Sequence, residues 1–179
     1  MWSLHLALAA EAGLERADAR RRLACAVAFH NSVLRPGCTD NERRSAELWL
    51  EISREGYVSA EDRRAVALMI EATADHVGVS AQPDTSEHDR ELCWLLDLDL
   101  ASLGDAPEVF AGNTEDLRRE AAVLDEREWR QGTIEFFLKL MAVDPLYRCR
   151  PIWSRREDAA RANMTQALKR FFACEADAA

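Results

Sequence analysis

Apolar residues recur three and four positions apart along almost the whole chain, which is the spacing of one helix face. Trp2 to Ala12 forms a first short candidate helix. Asp18 to His30 forms a second, with Leu23, Val27 and His30, or Ala26 and Phe29, falling on shared faces. "RPGCTD" breaks the pattern, and Thr39 or Asp40 is placed to cap "NERRSAELWLEIS". Ser59 is placed to cap "AEDRRAVALMIEATADHV", where Val66, Met69 and Ile70 share a face and Glu61 and Asp62 occupy the favourable first turn. After the polar connection "GVSAQPDTSE", a helix runs through "HDRELCWLLDLDLASLG" and stops at Gly104. Three further segments start near Asn113, Glu128 and Ser154, separated by "LDE" and "AVDPLYRCRPIW". No segment alternates with strand period and no repeat appears. The expectation is an all-α fold, one domain over residues 1–179 with seven or eight helices.

Bulk properties narrow the function classes. An apolar share of 48% in 179 residues suits one folded domain with a substantial core. The formal charge of -9 argues against a general nucleic-acid polymer binder. It leaves room for a small anionic ligand, since a local Arg cluster or a metal overrides net charge. No apolar run reaches the roughly 18 residues of a membrane span. "MWSLHLALAAEAG" lacks a basic leader and is interrupted by His5, so it reads as an ordinary first helix and not a signal peptide. The five cysteines are widely spaced, with no CxxC pair. Cys25, Cys93 and Cys174 lie in apolar helical runs and read as core thiols, which points to a reducing, cytoplasmic setting.

Candidate chemistry gathers on few residues. Of the four histidines, His5, His30 and His76 fall on helices or at their apolar ends, while His88 reads as a surface residue at a helix start. Imidazoles from separate helices, joined by a carboxylate, build metal sites in helical cores. "LLDLDLASLG" offers that carboxylate. Residues two apart on a helix point about 200° apart, so Asp97 and Asp99 cannot both face one site.

Several stretches together resemble the HD superfamily of predicted metal-dependent phosphohydrolases. They are "AVAFHN", "DNERRSAELW", "IEATADH", "DLDLASLG", "LRREAAVLDEREWRQGTIEFFLKL" with the following "LY", and "EDAARANM", in that order from about residue 20 to 170. The resemblance implies an all-helical fold and a divalent transition metal (Mn, Fe, Ni or Zn) held by an early His, a His-Asp pair and a later Asp. Carried over, these are His5, His30 with Asn31, and Asp99. His76 matches a further active-site His for substrate phosphate or a second metal. Glu42 matches an acidic position that orients a water, or is a first-turn acid of its helix. Arg43, Arg44, Arg118 and Arg119 lie in the matching stretches as phosphate partners or as solvated helix faces.

In such a site the metal lowers the pKa of a bound water and neutralises phosphoryl charge. The implied activity is hydrolysis of a small phosphate ester or nucleotide. The chain departs from the pattern at Asn31, which stands where the pair's Asp belongs. A neutral amide is a poor ligand for a hard cation. Two alternatives follow: a degenerate relative that binds a nucleotide or other small ligand without cleaving it, and an iron oxygenase on the same scaffold. The second depends most on the missing carboxylate. The apolar residues of "LKRFFAC" in the last helix suggest a homodimer.

Overall fold

The computed structural model describes residues 1–56 and 58–176, apart from the side chains of Trp2 and 174–176, so Cys174 lies outside the described side chains. Among the described residues eight α-helices follow one another with no strand: α1 (Trp2–Leu8), α2 (Ala17–Phe29), α3 (Asn41–Ile52), α4 (Ala60–Ala72), α5 (Glu87–Leu100), α6 (Pro107–Glu120), α7 (Glu126–Met141) and α8 (Arg150–Ala176). Short 3-10 turns extend α3, α4 and α5, the last over Ala101–Gly104. The all-α expectation holds, and no helix here is long and apolar enough to cross a membrane.

α5 organises the rest because it is apolar almost all round, the mark of a helix enclosed by others. Cys93 to Leu98 are all buried, and Trp94, Leu95 and Leu96 are fully covered. α2 and α4 pack against α5, α3 packs along α4, and α8 lies on the turn after α5 and on α7. The shared face expected for α4 is real, since Val66, Met69 and Ile70 are all in the core. Removing most of such a buried side chain (Ile70→Ala, for instance) costs about 2–5 kcal/mol through lost transfer energy and the cavity left behind.

Local signals set most helix ends. Ser59 and Ser86 accept hydrogen bonds from the third residue of α4 and α5, and Asp125 and Glu128 close a reciprocal capping box at α7. Asp40 holds the cap position of α3 without capping it, because its carboxylate is drawn to Arg43 and Arg44 instead. α6 starts at Pro107, well before Asn113; proline at the first helical position has the right φ and no amide to satisfy. Cys25 is half-buried and Cys93 buried, as free thiols. Gly104 marks a close approach of backbone to backbone where α5 meets α8. A Cβ there would lie 2.7 Å from Arg156 Cβ and 2.8 Å from the Arg156 carbonyl oxygen, so only glycine admits the backbone of α8 this close.

Candidate functional site

The residue that ends α2 starts the site. His30 closes the helix, and its Nδ1–H donates to the Val27 carbonyl at 2.9 Å, which pins the ring against the preceding turn. That bond leaves Nε2 facing outward, 3.3 Å from Asp99 Oδ1 and 3.0 Å from Asn31 Nδ2. The two partners make opposite demands. The amide donates to a neutral Nε2, whereas the carboxylate accepts from a protonated one.

Asp99 arrives from the last turn of α5, and His76 from the segment that follows α4. His76 Nε2 lies 2.9 Å from Asp99 Oδ2, so one carboxylate is bracketed by two imidazoles. The side chains of His30, His76 and Asp99 are 10%, 11% and 22% exposed, which makes this a largely desolvated cluster with one edge open. Burial alone would raise the Asp99 carboxyl, but the hydrogen bonds and charges of His30 and His76 overcome it and hold the group well below the usual carboxylate range. At His30, burial opposes the charged form, and the Asp99 partner outweighs it and raises the imidazole above its ordinary value.

Two clefts meet this cluster. One, of about 560 Å³, is lined by His30, Asn31, Asp99, Ser102, Asp105 and Arg156 together with the start of α1. Arg156 is held at its edge by the Ala101 carbonyl at 2.9 Å and by Asp105 at 2.5 Å. His76 lines a second cleft of about 340 Å³ with Arg148, Gln82 and Asp144. A more apolar cleft of about 330 Å³ between α6 and α7 shares Ser102 with the first and contains none of the His, Asp or Arg side chains of the cluster.

The expected site residues therefore divide. His30, Asn31, His76 and Asp99 come together. Asn31 is exposed at the cleft mouth and not at a buried helix end. His5 is placed elsewhere: it is fully buried and accepts a 3.0 Å hydrogen bond at Nδ1 from Trp94 Nε1–H. Burial and then Arg20 lower its pKa, and it lines neither cleft. Glu42 sits half-buried in the first turn of α3 and also lines neither. Arg43 pairs with Glu47 and Asp40, Arg44 with Asp40, and Arg119 with Asp116, all on helix surfaces. Arg118 bridges the α6–α7 turn and lies over the Trp129 ring.

Asp97 takes a role the sequence only half suggests. It is fully buried and accepts hydrogen bonds from the backbone N–H groups of Arg148 and Cys149, at 3.0 and 2.6 Å, just ahead of α8. Burial pushes its carboxyl up to about 7 against the pull of those two donors. Sequence reasoning missed Arg148 and Arg156. Arginines crowd residues 148–161, and nothing in their spacing says which guanidinium turns inward.

The donor set does not fit the metal centre that the resemblance implies. Residue 31 brings a neutral amide and His5 faces Trp94, which leaves two imidazoles and a single carboxylate where the pattern asks for four ligands. Among the described residues no group of three or more His, Cys, Asp or Glu side chains is arranged to hold a metal ion. No described protein family, curated protein or solved structure matches the chain.

Proposed function

We propose that the chain is a relative of the HD phosphohydrolases that binds a small phosphorylated ligand, a nucleotide or another phosphate monoester, at the His30–Asp99–His76 centre. Its hydrolytic power is weakened by the loss of charge at residue 31. The observation that carries this reading is the pair of imidazoles sharing one carboxylate at the edge of a ligand-sized cleft. The Asp99 partner favours the charged form of His30, which places a cation at the cleft wall of a chain that is acidic overall. A phosphate oxygen entering from the cleft competes with Asp99 for His30 Nε2–H. Arg156 and the Asn31 amide supply further donors along the same wall.

Calorimetric titration with nucleoside monophosphates, sugar phosphates and inorganic phosphate tests it. Binding should appear in the micromolar to millimolar range. It should weaken about tenfold in His30→Gln, which keeps a hydrogen-bonding group and loses the charge. Absence of binding across the panel, or binding that ignores His30→Gln, overturns the reading.

A metal-dependent hydrolase is the second reading, favoured by the contact between His30 and Asp99. Asn31→Asp separates the two. Because residue 31 is exposed, the added carboxylate stays hydrated and costs little on its own. Thermal melts with manganese should show metal-dependent stabilisation in the variant, about 2.7 kcal/mol at a hundredfold excess over Kd, and none in the parent. An equal shift in both proteins means the parent already holds the metal and the hydrolase reading wins. No shift in either removes residue 31 as the lapsed ligand.

A further inference from the structure

His76 is not on a helix, and its backbone is set from a distant part of the chain. Arg148 reaches across and donates from Nη2 to the His76 carbonyl and to the Val79 carbonyl, the latter at 3.2 Å. Arg148 is itself fixed by its own backbone, because its N–H and that of Cys149 are bound by the two oxygens of Asp97. The neighbouring Leu146 and Tyr147 N–H groups are bound by Glu157, and the Tyr147 hydroxyl donates to the Leu100 carbonyl at 3.0 Å. The connections form a closed circuit. It leaves α5 at Asp97, runs through residues 148–149 and the Arg148 guanidinium to the His76 backbone, and returns through the His76 ring to Asp99 on α5.

We infer that Arg148 and Asp97 are positioning residues for His76, and that the two acids of "DLD" act on it from both sides. Asp99 meets the ring, while Asp97 anchors the arm that aims it. The circuit is geometric and holds whichever ligand the site takes; its effect on ligand affinity rests on the phosphate-binding reading. Both bonds leave Nη2, whose two N–H groups span the two carbonyls while the planar guanidinium holds their directions fixed. The alternative, a general staple of the loop after α4, makes a different prediction. That loop is also tied by Arg90, which donates to the Pro83 carbonyl at 3.2 Å.

The test compares Arg148→Ala, Arg148→Lys and Arg90→Ala by ring nitrogen spectra of labelled histidine in the full chain, with His88 as an exposed reference and the distant, buried His5 as an internal control. Arg148→Ala should move the His76 ring signals most, shift those of His30 less through the shared Asp99 carboxylate, and speed amide exchange at 76–79 about tenfold. Arg148→Lys should restore part of the His76 signature, and Arg90→Ala should leave it unchanged. For a phosphorylated ligand that binds the parent, affinity should fall roughly tenfold in Arg148→Ala. Unchanged His76 signals in Arg148→Ala, or an equal displacement in Arg90→Ala, overturn the inference. Should Arg148→Ala fail to fold, Arg148→Lys decides the matter: a His76 spectrum identical to the parent then overturns it. The spectra need no ligand, so failure of the phosphate reading leaves this result standing or falling by itself.

Discussion

Two buried charged centres sit at opposite ends of α5, and they are built for different ends. At the N-terminal end Arg22 bonds Glu91 through two nitrogens, at 2.8 and 2.5 Å, and Asp62 at 2.7 Å. Glu91 is fully buried, and Arg22 is 6% exposed. At the C-terminal end two imidazoles hold Asp99 beside a cleft. The first centre has a cation that does not titrate and whose donors are spoken for. The second has protons that can leave and an edge that a ligand can reach. Burial of charge is common to both. Exchangeable protons and an open side are what the proposed ligand centre has and the first centre lacks.

The largest way to break this contrast is Arg22→Met. It strands Glu91 in the core, leaves Asp62 to Arg21 alone, and should cost about 3–5 kcal/mol in denaturant unfolding, as expected when one partner of a buried pair is removed. A loss under about 1 kcal/mol would show that water reaches Asp62 and Glu91 and that the two ends differ less than their geometry says.

pH sharpens the comparison with a smaller effect. His30 is raised in the fold, so its contribution is complete below about 6.5 and is lost as pH climbs through the folded value. Asp99 is depressed, so its contribution is complete above about 3.9 and is lost as pH falls toward the folded value. The excess stability of the parent over Asp99→Asn should therefore be greatest between about pH 4 and 6.5 and shrink on both sides. The cost of Arg22→Met should show no such maximum, since the guanidinium keeps its proton throughout. A level Asp99 profile would mean that His30 stays neutral under Asn31.

The smallest effect lies outside both centres. Gly132 sits inside α7 and lines the apolar cleft beside α6, and a Cβ there meets nothing within 4 Å. Gly132→Ala should stabilise the fold by roughly 0.5–1 kcal/mol through reduced backbone entropy, read as a raised Tm, and should leave ligand titrations untouched.

Much of the architecture was legible because helix periodicity and caps are local. The Val66, Met69 and Ile70 face, the Ser59 cap and the opposed directions of Asp97 and Asp99 all follow from spacing within a turn or two. Pro107 was a readable start signal that the apolar pattern of α6 obscured. The site was legible only where its members fall in recognisable stretches, and His30, His76 and Asp99 do come together. What spacing does not encode is the partner across the core. His5 answers to Trp94, 89 positions away, and Asp97 to amides 51 and 52 positions away. Those pairings depend on how α1 and α8 lie against α5, which no single segment records.

The width of the main cleft hangs on one missing carbon. Arg156 lines that cleft from α8, and α8 rests directly on residue 104. A methyl group at 104 would drive into Arg156 Cβ and the Arg156 carbonyl, a wedge between the end of α5 and α8 that levers this arginine away from Asp99. Glycine at that position therefore works as a gauge block. It sets the gap that the proposed ligand would occupy, and the aperture is fixed by how closely two backbones approach.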